Sequence, residues 1–183
     1  ISILLKFFSL KIISGSKKSH IIRAPKNLSI VRPTSGLVKE SLFNILSNYF
    51  IFNEIKVLDL YAGIGNISYE FGSRGCNEID SVDINFRCTY FIKKMAKELD
   101  LKIKIFTLSV DKFIMKNESK YDIIFADPPY TEVSFHSIKE KVESILKPGG
   151  IFCMEMKKEP IDEENVRVKH YGSTQVVFWR AVA

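Results

Sequence analysis

Asp127-Pro128-Pro129-Tyr130 is the segment of this 183-residue chain with the clearest chemical potential. Two consecutive prolines fix φ at about −65° and restrict the residue before them. They also remove two backbone donors, so the loop offers bare carbonyls beside a carboxylate and an aromatic ring. Such a loop suits a planar ring bearing an exocyclic amine. The Asp127 carboxylate and the Pro128 carbonyl can accept hydrogen bonds from the NH₂ group. Tyr130 can stack on the ring face, worth about 1–3 kcal/mol per base. A second candidate is Asp59-x-x-Ala62-Gly63-x-Gly65, whose glycines permit a tight turn and close approach of a ligand to the backbone. Ser68 stands where a dinucleotide fingerprint has its third glycine, which disfavours a nicotinamide dehydrogenase. A third is Asp83, which can accept hydrogen bonds from the ribose hydroxyls of an adenosine lacking a 2′-phosphate, or cap a helix starting near Asn85.

The elements around these residues alternate. Residues 55–61, 78–84, 102–108, 121–127 and 151–156 are short apolar runs of the kind buried parallel strands show. Helices are predicted over 66–74, 85–99, 110–116 and 134–146, the second with Phe86, Tyr90, Phe91, Met95 and Leu99 on its inner face. Residues 166–180 read as two strands around a Gly172-Ser173 turn. Ahead of them, 12–32 read as short strands or an extended arm. A helix capped at Thr34 or Ser35 then buries Val38, Leu42, Ile45, Leu46 and Tyr49. Alternating strands and helices predict an α/β protein of three layers, with a mostly parallel sheet and an antiparallel C-terminal hairpin. Ligands of such sheets lie beyond the carboxyl ends of the strands. Asp59 to Gly65, Asp83, Ser109 and Asp127 to Tyr130 all fall there.

Composition narrows the classes. Hydrophobic residues make up 46% and charged residues 26%, as in ordinary globular domains, and no run reaches the apolar length of a membrane helix. Three cysteines without a CxxC pair exclude a disulfide framework and a cysteine zinc site, and the three histidines have no metal spacing, so no metal is expected. The formal charge of +6 is concentrated at the start: residues 1–48 carry eight Lys or Arg and one acid, Glu40. That distribution suits contact with a phosphate backbone. A solvated basic tail is the plainer reading of the same charges.

The chain resembles class I S-adenosylmethionine-dependent methyltransferases, and more narrowly the RsmD family, which methylates N2 of a guanine in small-subunit (16S) ribosomal RNA. The matching segments are Lys11 to Gly15, Arg32-Pro33-Thr34-Ser35, Lys39 to Asn44, Leu58 to Gly65, Ser73-Arg74-Gly75, Asp127 to Tyr130 and Tyr171 to Thr174. The resemblance implies a Rossmann-like, seven-stranded sheet and S-adenosyl-L-methionine as cofactor. It implies catalytic roles for Asp127, Pro128 and Tyr130. Cofactor contacts are implied at Thr34, Asp59, Gly63, Gly65, Asp83, Ser109 and Val110, and RNA contacts at Lys17, Lys18, Arg23, Arg32 and Pro129. The implied partner is 16S ribosomal RNA, within an assembling small subunit, met by a cytoplasmic monomer without a membrane. Residues 1–10 would be a non-native or disordered extension. Residues 11–48 would be a basic arm and first helix, forming one domain with a core over 49–183. The chain departs from the family at Gly36-Leu37, at Ser109 and at Ile64. Rival readings are a DNA adenine-N6 or protein glutamine-N5 methyltransferase, or a non-catalytic RNA-binding assembly factor with the same fold.

Overall fold

Continuous apolar runs flanked by glycine turns give strands whose two faces are both covered. In the computed structural model, which describes residues 7–28, 33–129 and 133–183, these runs are β3 (Lys56–Leu60), β4 (Glu78–Asp83), β5 (Ile103–Thr107), β6 (Tyr121–Ala126) and β7 (Leu146–Lys157). They are parallel to one another. β8 (Val166–Tyr171) and β9 (Thr174–Arg180) form the antiparallel hairpin, and β9 pairs antiparallel with β7. The seven strands lie in the order β5-β4-β3-β6-β7-β9-β8. Upstream, β1 (Phe7–Lys11) and β2 (Ile21–Pro25) pair into a separate antiparallel ribbon. The helices are α1 (Gly36–Leu46), α2 (Asn66–Ser73), α3 (Phe86–Glu98), α4 (Val110–Lys116) and α5 (Phe135–Glu143).

Alternation along the strands sorts the core. Leu58, Leu60, Ile124 and Ala126 pack with Val110 and Phe113 of α4 and with Phe135, Ile138 and Val142 of α5. Val57, Ile123, Phe125, Ile151 and Cys153 face the other way, against α1 and α2. A third cluster joins Leu10, Ile12, Ile22 and Ala24 of the ribbon to Cys88, Ile92, Met95 and Leu99 around α3.

Two sequence expectations are corrected. Phe7 to Leu10, expected to be a non-native or disordered extension, belong to β1, in which Leu10 is buried and Phe8 half-buried in the cluster around α3. The buried face of α3 is Cys88, Thr89, Ile92, Met95 and Ala96, whereas Phe86 and Tyr90 are 69% and 63% exposed. Met95 and Leu99 are buried as expected and Phe91 is half-buried, so the packed face is rotated away from Phe86 and Tyr90 and lies against β4 and β5.

A buried charge cluster fastens the ribbon to the core. The fully buried Glu70 carboxylate accepts hydrogen bonds from the backbone N–H groups of Ile13 and Ser14, from Lys39 Nζ at 3.1 Å and from Arg74 Nε at 3.1 Å. Lys39 Nζ also donates to the Lys11 carbonyl at 2.7 Å. Ser73 Oγ donates to the Ser14 carbonyl and accepts from Lys17 N–H. Gly15, at φ +89°, must be glycine, since a Cβ there would stand 1.9 Å from the Ser73 carbonyl oxygen. Burial lowers the proton affinity of Lys39, and the Glu70 charge opposes that shift. Removing one partner of a buried ion pair leaves the other uncompensated, at about 3–5 kcal/mol. Glu70→Ala is therefore expected to lose stability on that scale in urea unfolding and to expose residues 11–20 to proteolysis. A loss below about 1 kcal/mol would show that the cluster does not hold the ribbon.

Candidate active site

Period-two alternation also fixes where the acids go. Asp59 continues the face of Val57, Asp127 that of Ile123 and Phe125, and Glu155 that of Ile151 and Cys153. β3, β6 and β7 are adjacent, and Ala126 pairs with Met154, so Asp127 and Glu155 are side by side one step further along. Three carboxylates thus meet at the carboxyl ends of three neighbouring strands, on the face covered by α1 and α2.

Each is held differently. Asp59 Oδ2 accepts from Ser68 Oγ at 2.6 Å and Ser68 N–H at 3.1 Å, and Ser68 in turn contacts Ser81 Oγ. Glu155 Oε2 accepts from Thr34 Oγ1 at 2.6 Å, while Asn66 Nδ2 donates to the Thr34 carbonyl at 2.8 Å. Asp127 Oδ1 is buried without a hydrogen-bond partner. Burial raises all three proton affinities. Asp59 is pushed up to about 7, partly opposed by its Ser68 bonds. Asp127 is pushed well above the usual carboxylate range, first by burial and then by the charges of Glu155 and Asp59. Glu155 shifts upward by burial, with the Thr34 bond opposing. Asp83 also shifts upward by burial, opposed by N–H donors from Asn85 and Gly63.

A cavity of about 390 Å³ opens over these strand ends. Its wall includes Thr34, Asp59, Gly63, Asp83, Ser109 and Val110, which sequence marks as cofactor contacts, together with Asp127 and Pro129. The turn after β3 is built for access: Gly63 has φ +57°, and a Cβ on it would meet nothing within 4 Å. Gly63 N–H donates to Asp83 Oδ2 at 2.8 Å, and Asp83 Oδ1 accepts from Asn85 N–H at 2.8 Å. The cap of α3 is Asn85, whose side chain accepts from Arg87 and Cys88, rather than Asp83. Ser109 caps α4 through Lys112 N–H. Asp111, in the first turn of that helix, also lines the cavity.

Not every expected residue joins them. Gly65 and Pro128 are not among the lining residues. Gly65 is glycine because it sits at φ +90° and a Cβ would stand 2.7 Å from the Tyr69 ring, so packing explains it. Lys17, Lys18 and Arg23 lie on the ribbon; Lys18 and Arg23 are exposed and Lys17 half-buried. Arg32 and Tyr130 lie outside the described residues. Sequence reasoning missed Asn66 and Glu155. An acid at the inward register of the apolar run 151–156 is the signal that would have marked Glu155.

The lining acids Asp59, Asp83, Asp111 and Asp127 are accompanied by no Lys or Arg among the described lining residues. The wall is complementary to a cationic ligand, and S-adenosylmethionine carries a sulfonium. No group of three His, Cys, Asp or Glu among the described residues is placed to hold a metal ion. Strand order gives the fold of class I S-adenosylmethionine-dependent methyltransferases, with the cavity at the carboxyl ends of the strands. The Escherichia coli protein yhhF has this fold, with TM-score 0.83 and 21% identity over 96% of this chain and 99% of its own. So does the Thermus thermophilus 16S rRNA N2 G1207 methyltransferase RsmC, solved with AdoMet and guanosine, at TM-score 0.73 and 18% identity over 96% of this chain and 50% of that one. A family model described as Conserved hypothetical protein 95 matches residues 10–180. Ribosomal RNA small subunit methyltransferase D of Buchnera aphidicola subsp. Acyrthosiphon pisum is 32% identical over 155 residues, 82% of this chain and 80% of its own. The chain belongs to this family, the RsmD family.

The raised proton affinity of Asp59 has a consequence for stability. Its folded value of about 7 lies above the ordinary 3.8, so its contribution is fully present below about pH 4 and is lost as pH rises through 7. Asp127, Glu155 and Asp83 shift in the same direction. The unliganded protein is expected to lose stability from pH 4 to 8 in thermal unfolding. Asp59→Asn, which cannot ionise, should show a shallower decline; parallel curves would mean that Asp59 titrates normally in the folded state.

Proposed function

We propose that this protein methylates the exocyclic N2 amine of a guanine in small-subunit (16S) ribosomal RNA. S-adenosyl-L-methionine would be held by the turn at Gly63, by Asp83 and by Ser109 and Val110, and it supplies a methyl group already activated on a sulfonium. The observation that carries this reading is the buried, unpartnered Asp127 Oδ1 beside the Pro128-Pro129 loop on the wall of an acidic cavity.

Guanine N2 is a poor nucleophile because its lone pair is delocalised into the ring. Asp127 and the Pro128 carbonyl accept hydrogen bonds from its two N–H groups and draw that lone pair out of conjugation. The sulfonium of the bound donor would favour the ionised form of Asp127 against the effect of burial, and the ionised carboxylate would take the proton the amine gives up. Glu155 and Thr34 fix the neighbouring wall. Tyr130 stacks on the base once it has left its own stack. Lys17, Lys18, Arg23 and Arg32 meet phosphates, and the substrate is a ribosomal particle in assembly, met by a cytoplasmic monomer. The RsmD relatives and the N2-guanine enzyme of the same fold support this substrate over DNA adenine or protein glutamine.

The test is transfer of labelled methyl from S-adenosylmethionine to 16S rRNA, followed by nucleoside mass analysis. N2-methylguanosine is expected; N6-methyladenosine, or label in protein, would replace this reading. Asp127→Ala should lose about 10²-fold or more in rate with cofactor affinity retained. Turnover near wild type would remove Asp127 from the chemistry. Neutralising Lys17, Lys18 and Arg23 together should lower the slope of log affinity for RNA against log salt by about 2 to 3 units, at roughly 0.7–0.9 per phosphate. An unchanged slope would make the ribbon a solvated surface.

A further inference from the structure

The outer face of α3 combines two features that a merely solvated helix does not need. Phe86 and Tyr90, four residues apart, expose 69% and 63% of their surface, and their rings lie 6.1 Å apart at 35°. At 100° per residue, Lys93, Lys94 and Lys97 continue the same stripe, and Arg87 flanks it; all four are exposed. Against these four cations the helix carries one acid, Glu98, 4.0 Å from Lys94, which forms the one ion pair on this face among the described residues. The buried face of the helix is complete without the two rings. The stripe starts next to the cavity, since Ile84 and Asn85 line its wall.

We propose, resting on the ribosomal RNA reading above, that this face of α3 docks an unpaired RNA segment, with Phe86 and Tyr90 stacking on bases and Arg87, Lys93, Lys94 and Lys97 meeting phosphates. Rings stack on any base, and a basic column beside them tracks a backbone, which is how single strands are bound without sequence preference. Phe86 to Lys97 spans about 16 Å of helix, long enough for several nucleotides. Four cations against one acid favour a polyanion over a second copy of the same surface.

The experiment measures binding of a labelled twelve-nucleotide oligouridine to the full chain by fluorescence anisotropy across a salt series. Phe86→Ala/Tyr90→Ala should weaken binding about thirtyfold or more, the loss of two stacked bases. Lys93→Glu/Lys94→Glu should lower the salt slope by about one unit or more. S-adenosylmethionine affinity should be unchanged in both. Wild-type affinity in both variants, or no binding by the wild type, overturns the proposal. So does self-association that the aromatic variant abolishes while oligouridine affinity holds. Methylation of 16S rRNA, read in parallel, separates the two claims. An active wild type with an indifferent α3 face sinks the docking surface alone. Oligouridine bound through α3 with no methyl transfer sinks the reaction alone.

Discussion

Carboxylates buried in apolar surroundings are expensive unless something compensates them, and this fold places three at one point. Asp59, Asp127 and Glu155 share a face of β3, β6 and β7, with proton affinities raised by the burial itself. Ser68 partly compensates Asp59 and Thr34 partly compensates Glu155. Asp127 keeps an oxygen with no partner. A structural core would not retain that arrangement, because replacing such groups by apolar residues is commonly neutral or stabilising. It makes sense where a cation and an amine are the missing partners. Under the proposed reaction, a positive ligand in the cavity would favour ionised acids, and a product without the sulfonium charge would not.

The wall of that cavity depends on segments remote in sequence. Thr34, in the stretch between the ribbon and α1, bridges Glu155 of β7 and Asn66 of α2. α1 supplies Lys39 and α2 supplies Glu70, so the two helices that cover the acids also clamp the ribbon. A basic surface and a reactive pocket are thereby fixed to the same pair of helices. A base presented by RNA lying on the ribbon would meet the pocket at a defined distance.

The parallel strands and the sheet edge that carries the candidate residues were legible because such strands tend to read as apolar runs, several of them ended by glycine or proline. Asp59 and Asp127 stand at such ends, Asp83 at the end of a more polar strand closed by Asn85, and all three reach one cavity. The partners that tune them were not legible. Glu155 lies 121 residues from Thr34, and Lys39 lies 31 from Glu70; contacts across such separations follow from tertiary packing and leave no local pattern. Gly65 is a related case: its turn demands glycine, at φ +90° with the Tyr69 ring 2.7 Å from where a Cβ would stand, and that packing leaves no local pattern.

The misread face of α3 is the most instructive case, because periodicity alone cannot distinguish a buried stripe from an exposed one. Of the five residues expected on the inner face, Met95 and Leu99 are buried and Phe91 is half-buried, while Phe86 and Tyr90 face outward. Packing selected Cys88, Ile92, Met95 and Leu99, which join Leu10, Ile12, Ile22 and Ala24 of the ribbon in one cluster. The small residue Ala24 and the slim Cys88 let ribbon and helix approach closely, and Cys88 Sγ reaches the Leu28 carbonyl at 3.0 Å. Large rings at those positions would hold the ribbon away from the core and strain the Glu70 clamp. Of the three aromatic residues of α3, Phe91 packs against this cluster, and Phe86 and Tyr90 face outward. The same cluster joins the ribbon, with its exposed Lys18 and Arg23, to the helix whose outer face carries Lys93, Lys94 and Lys97.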